Sequence, residues 1–115
     1  MRHLVKKSKK LGRGKDHRRK LLRTLGSSVI IYEKIETTQA NAKAIRSYVD
    51  KMVTKAKKQT LHGRRQLLMD LTPGAAKKAA EVLAERYADR NGGYCRILIA
   101  GRSKDGMNKY LVELV

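Results

Sequence analysis

The sequence predicts a two-layer α+β fold ordered helix–strand–three helices–two strands, with a small mixed sheet covered by helices and a basic N-terminal extension. Three observations carry that expectation. An apolar stripe at helical spacing runs from Ala42 to Ala56. Runs rich in β-branched and aliphatic residues occur at 29–36, 94–100 and 109–115. Thr72-Pro73 and Asn91-Gly92-Gly93 frame an alanine-rich helix. A chain of 115 residues suits one domain plus a tail, with expected boundaries at 1–15 for the extension and 16–115 for the domain. The apolar fraction is 41%, with no Trp and no Phe, so the core must be aliphatic with tyrosine as its aromatic component.

In chain order, Asp16 is placed to cap a helix running through about Leu25, with Leu21, Leu22 and Leu25 on one face and Gly26-Ser27 ending it. Val29 to Glu36 then reads as a strand, because Val and Ile dominate it and its end alternates. Thr37 and Thr38 offer an N-cap. Ala42, Ile45, Val49, Met52, Val53 and Ala56 fall at helical offsets, and Lys55, Lys57 and Lys58 suit the negative end of that helix. Leu61-His62-Gly63 reads as a break before a short helix from Arg64 to Leu71, with Leu67, Leu68 and Leu71 facing inward. Thr72-Pro73 starts the next helix, which turns Ala76, Ala79, Ala80, Leu83, Ala84 and Tyr87 to the core. Gly92 is expected to close it in the left-handed conformation, with Gly93 turning into Tyr94. Tyr94–Ala100 and Lys109–Val115 form the final hairpin around an Asp105-Gly106 turn. The single cysteine, Cys95, excludes an internal disulfide and reads as a small buried hydrophobe in a reducing compartment.

Charge dominates the functional reading. The chain holds 28 Lys and Arg against 10 Asp and Glu, a net +18. Eleven of those basic residues lie in the first 23 positions, opposed there by Asp16 alone. With few apolar side chains, that extension cannot offset its own ordering entropy, and free in solution it is expected to be mobile to about Lys15. A polyanion supplies what orders it: negative charge along a length of chain. The remaining residues are basic too, so the domain shares the bias. No apolar run has the length of a membrane span, no h-region follows the basic start, and no regular apolar face of a mitochondrial presequence is present.

Catalytic and metal constellations are missing from the sequence. His3, His17 and His62 stand apart from one another and from Cys95 at any ligand spacing. Glu33 and Glu36 point to opposite faces if they lie on a strand. Gly12 and Gly14 lack the strand, third glycine and Lys-Ser of a phosphate loop. No enzyme activity, metal, cofactor or small-molecule substrate is therefore expected. The candidate nucleic-acid-contacting residues, RNA-contacting if the resemblance described next holds, are Arg2, His3, Lys6, Lys7, Lys9, Lys10, Arg13, Lys15, His17, Arg18 and Arg19 along the extension and first helix. Arg64, Arg65, Arg86, Arg90 and Arg96 join them from the domain. Arginine's planar fork suits phosphate and base edges, and its face stacks on bases.

As a set, several motifs resemble the bacterial L-seventeen family of large-subunit ribosomal proteins. They are Met1-Arg2-His3, the glycine-bearing basic arm, His17-Arg18, Glu33 with Ile35 and Thr37-Thr38, Ala40, Ala42 and Lys43, Arg64-Arg65, Arg86, Arg90, Gly92-Gly93-Tyr94, Arg96-Ile97 and Glu113-Leu114. The resemblance spans essentially the whole chain. It implies the same α+β layer and a structural, non-enzymatic role in the cytoplasmic ribosome. It also implies binding to large-subunit ribosomal RNA, support of subunit assembly near the tunnel exit, and neighbouring ribosomal proteins as partners. The arm here is richer in lysine than the family's arginine-and-asparagine version. The alternative reading is a sequence-tolerant DNA-binding architectural protein, for which Met107 in the 101–108 loop is the available apolar wedge.

Overall fold

The computed structural model describes residues 11–115. Four helices and three strands follow in the expected classes: α1 (Lys15–Tyr32), β1 (Lys34–Thr37), α2 (Gln39–Lys57), α3 (Leu61–Asp70), α4, β2 (Cys95–Arg102) and β3 (Asn108–Leu114). Helix α4 begins as Pro73–Lys78, passes through a π-helical turn at Ala79–Leu83 and ends as Ala84–Arg86. In that turn the Ala80 carbonyl accepts a hydrogen bond from the Gln59 side-chain amide at 3.0 Å.

Helix α2 is the centre. Its six stripe residues, Ala42, Ile45, Val49, Met52, Val53 and Ala56, are all buried. Thr38 takes the extended N-cap conformation, although its hydroxyl makes no capping bond, and Lys55 and Lys57 lie in the last turn. On one side α2 meets α1, α3 and α4, and on the other β2 and β3. The core completes with Val29 and Ile30 from α1, Leu67 and Leu71, the α4 alanines with Leu83 and Tyr87, and Tyr94, Cys95 and Val112 from the sheet end. Cys95 is buried as expected, and burial pushes its thiol up to about 12, with the Asp50 carboxylate adding to the shift.

The sheet is wholly antiparallel, in the order β1-β3-β2, which corrects the expectation of a mixed sheet. The helices between β1 and β2 return the chain so that both strands run the same way, and the hairpin reverses it into β3 between them. Lys34 therefore pairs with Glu113 and Thr37 with Tyr110. Ile97, Val112 and Ile35 lie in one row across the three strands and face the helices. The β2–β3 hairpin carries a bulge between Ile99 and Gly101, and Gly106 has φ +85° at its turn.

The largest departure from the sequence reading lies in α1. Residues 29–32 are helical, and Gly26-Ser27 continues the helix instead of ending it. Gly14, not Asp16, is the N-cap residue. Asp16 sits in the first turn, where its charge complements the helix dipole. Packing overrides the β-propensity of Val29 and Ile30, because both become fully buried when the helix continues. Gly26 is required by closeness: a Cβ there would lie 2.8 Å from a ring carbon of Tyr48 on α2. Ser27 is buried and its hydroxyl accepts the Thr72 N–H at 3.0 Å, tying α1 to the start of α4. The helix ends at Glu33, which is left-handed with φ +67°; its N–H bonds to the Val29 carbonyl at 2.8 Å and its carbonyl accepts from Leu114 at 2.9 Å.

Two further boundaries move. Helix α3 starts at Leu61, because the Thr60 hydroxyl accepts from the Gly63 N–H at 3.0 Å; the 61–63 segment is its first turn and not a break. Leu68 faces outward at 53% exposure while Leu67 and Leu71 are buried. The left-handed glycine after α4 is Gly93 (φ +65°), not Gly92, and the helix has already ended at Arg86.

These contacts set two expected outcomes. Gly26→Ala, which ordinarily strengthens a helix interior, should instead destabilise the protein by about 1–3 kcal/mol through overpacking against Tyr48. Gly93→Ala should lower the melting temperature more than Gly92→Ala, because only Gly93 holds positive φ and neither position is crowded. Urea or thermal melts of the three variants check both.

Candidate nucleic-acid interface

The positive face begins at the start of α1. Leu11 and Gly12 turn the chain with φ +57° and +67°, and Arg13 donates to the Leu11 carbonyl at 2.7 Å. From there Lys15, His17 and Arg19 are exposed and Arg18 is half-buried, so all four stand on the first turns of one helix. Arg2, His3, Lys6, Lys7, Lys9 and Lys10 lie outside the described residues.

Arg64 and Arg65 are exposed on α3 and make no ion pair or side-chain hydrogen bond within the described residues. Met69, one turn beyond Arg65, lines a groove with Arg19, Lys20 and Arg23 of α1. The structure thus brings Met69 of α3 to the N-terminal half of α1, while Arg64 lines a second groove with Lys77 and Glu81 of α4.

Arg86, Arg90 and Arg96 do not join that face. Arg86 pairs with Glu33 and lies 5.8 Å from the Tyr87 ring centre. Glu33 marks the far end of α1, roughly 27 Å from Lys15 at the helical rise. Arg96 pairs with Glu113 across β2 and β3. Arg90 bonds the Gly92 carbonyl at 3.3 Å, while its own carbonyl accepts from Lys57 and from the Tyr94 hydroxyl. Lys57 also sits 5.2 Å from the Tyr94 ring centre, and Tyr94 packs on Tyr87 with ring centres 5.2 Å apart. Arg86 and Arg96 therefore bridge elements of the framework, whereas the exposed Arg90 side chain bonds only the nearby Gly92 carbonyl.

Sequence reasoning missed Lys20 and Arg23 as site residues. The available signal was their spacing: 16, 19, 20 and 23 share one helix face. Arg23 donates to the Leu71 carbonyl at 3.1 Å, and its Nε is buried without an acceptor.

Acidic groups near these elements are structural. The Glu33 carboxyl is held below its ordinary 4.5 by the Arg86 hydrogen bond first, against partial desolvation, with the Arg86 and Lys78 charges adding to the shift. Lys55 pairs with Asp70 at 3.1 Å. Asp50 accepts the Tyr94 N–H at 3.2 Å, and desolvation raises its pKa above the ordinary value. Burial, helped by the Asp70 charge, pushes the Tyr48 hydroxyl up to about 12. Among the described residues no group of three or more His, Cys, Asp or Glu is placed to hold a metal, and no helix is long and apolar enough to cross a membrane.

Fold and surface together define a small α+β scaffold with an excess of unpaired cations and no assembled catalytic set among its described residues. Its sequence matches the family model described as Ribosomal protein L17 over residues 21–115, and the chain belongs to that family. Curated relatives called large ribosomal subunit protein bL17 include one from Clostridium botulinum, 46% identical over 109 residues, covering 93% of this chain and 96% of the relative. Another, from Acidobacterium capsulatum, is 45% identical over 108 residues, covering 92% of this chain and 68% of the relative. A third, from Staphylococcus aureus, is 44% identical over 119 residues, covering 93% and 98%. The family is one of structural ribosomal constituents, not of enzymes.

The ion pairs make a directional prediction. Arg86→Ala and Arg96→Ala should each lower stability, by up to about 1 kcal/mol for such exposed pairs, with little effect on RNA affinity. Arg64→Ala with Arg65→Ala should do the reverse; melts and filter binding on the same samples separate the two. Glu33 adds a pH dependence. Its folded pKa is depressed, so its stabilisation is complete above 4.5 and is lost as pH falls below that value. Glu33→Gln should flatten the acid limb of the stability profile.

Proposed function

We propose that this protein is a structural constituent of the large ribosomal subunit that binds ribosomal RNA and supports subunit assembly near the tunnel exit, beside neighbouring ribosomal proteins. Residues 1–15 serve as a basic extension laid along RNA, and 16–115 as the single folded domain that positions it. The observation that carries the reading is the charge: a net +18 on a chain of this family, concentrated in the first 23 residues. The RNA-contacting set is Arg2, His3, Lys6, Lys7, Lys9, Lys10, Arg13, Lys15, His17, Arg18 and Arg19, with Arg64 and Arg65. Arg86 and Arg96, paired with Glu33 and Glu113, act through the framework, and the exposed Arg90 stays with the RNA-contacting set.

The mechanism is electrostatic and mechanical. Lys and Arg displace condensed counterions from phosphates, which drives association and makes it strongly salt-dependent.

The test keeps Gly14 as the α1 N-cap and deletes residues 2–13. That removes Arg2, Lys6, Lys7, Lys9, Lys10 and Arg13 but no buried residue of the described core. The expected outcome is a near-unchanged melting temperature, a large fall in recovery with large subunits on a ribosome gradient, and weaker RNA binding. The slope of log affinity against log salt should fall by about 4 if all six charges meet single-stranded phosphates. Full incorporation of the truncated chain would overturn the role of the extension; recovery of the intact chain with the nucleoid would overturn the ribosomal assignment.

A further inference from the structure

The groove between the N-terminal half of α1 and the C-terminal end of α3 is open, about 380 Å³, and lined by Asp16, Arg19, Lys20, Arg23 and Met69. Its four α1 residues share one face, so three cations converge against one acid at the N-terminal end. Arg19 and Lys20 are exposed and form no ion pair or side-chain hydrogen bond among the described residues. Arg23 is different. Its guanidinium is anchored on the Leu71 carbonyl at the α3 C-cap, at 3.1 Å, and its Nε is buried with no acceptor. That anchorage costs the side chain its rotamer freedom before any ligand arrives, which favours binding of an anion at the remaining N–H groups. The opposite wall is Met69, 65% exposed, a soft and adaptable apolar surface.

A basic floor beside an apolar wall fits a nucleotide better than a bare duplex backbone, which offers phosphates and no free base or sugar face at this depth. We propose that this groove seats one unpaired nucleotide of RNA. Its phosphate lies on Arg19, Lys20 and Arg23, and its sugar or base rests on Met69. This rests on the RNA-binding reading above and adds a specific subsite to it. Arg65, one turn before Met69 on α3, is placed to take a phosphate farther along the same strand.

The test uses the full chain with two probes, a single-stranded uridine oligomer and a blunt RNA duplex. Arg19→Gln with Lys20→Gln removes two groove charges that support no internal contact. Lys104→Gln with Lys109→Gln removes the same charge from the exposed hairpin loop and β3. Arg23 is spared because it holds Leu71. The groove variant should lose roughly tenfold more affinity for the single strand than the hairpin variant, as for loss of ordered contacts to a charged group. Met69→Ser should weaken single-strand binding and leave duplex binding unchanged. Equal losses in the two double variants would overturn the subsite and leave the general RNA reading standing. A wild-type chain that binds neither probe would overturn both.

Discussion

Burial of the α2 stripe is the constraint on which the rest of the structure depends. With neither Phe nor Trp, the core has only Tyr87 and Tyr94 as buried aromatics, so most apolar area must come from close approach of small and branched side chains. Each fully buried Ile, Val or Leu contributes about 1.5–3 kcal/mol, provided its neighbours come near enough. Two helical glycines, one in the interior of α1 and one in the first turn of α3, make that possible. Gly26 lets α1 close on Tyr48, and Gly63 lies where a Cβ would be 3.0 Å from the Lys55 carbonyl of α2. Glycine costs roughly 0.5–1 kcal/mol in a helix relative to alanine. Here that cost is offset by contact that a methyl group would block.

The second organising feature is the use made of a small number of acids. Glu33 holds Arg86 and Lys78 at the junction of α1 and α4, Glu113 holds Arg96 on the sheet, Asp70 holds Lys55, and Asp50 accepts the Tyr94 N–H. Each binds elements distant in sequence. The cations at the start of α1 and on the outer face of α3 are left without carboxylate partners among the described residues. The framework and the candidate RNA surface are thus separated by where the acids are.

Most of the helical architecture was legible because its signals are periodic. The α2 stripe was readable residue by residue, and the final hairpin was marked by its Asp-Gly turn. The failures share a cause: local signals were read without the partner that outweighs them. Val29 and Ile30 look like a strand until α2 and α4 bury them, and Gly26 looks like a stop until Tyr48 lies against it. Gly63 looks like a break until Thr60 caps its amide. For the site, charge composition pointed to a polyanion, but residue type could not separate an arginine held by Glu33 or Glu113 from one facing solvent. Arg23 went unassigned because its anchor, the Leu71 carbonyl, is a backbone atom 48 positions away.

The place of β3 in the sheet has a consequence for how the protein is made. It is the middle strand, yet it follows every other element along the chain. Emerging from a ribosome, β1 must therefore wait for its only neighbour while the residues between Lys34 and Glu113 are added, an interval on the order of several seconds at typical elongation rates. Strand β2 waits as well, more briefly. During that interval helices can form locally, but the sheet cannot close over α2, and the nascent chain presents its basic first half beside an incomplete core. Closure of long-range pairs is slow and leaves apolar surface open until it happens. Newly made copies thus pass through a stage in which a strongly basic segment is complete before the tertiary structure that carries it.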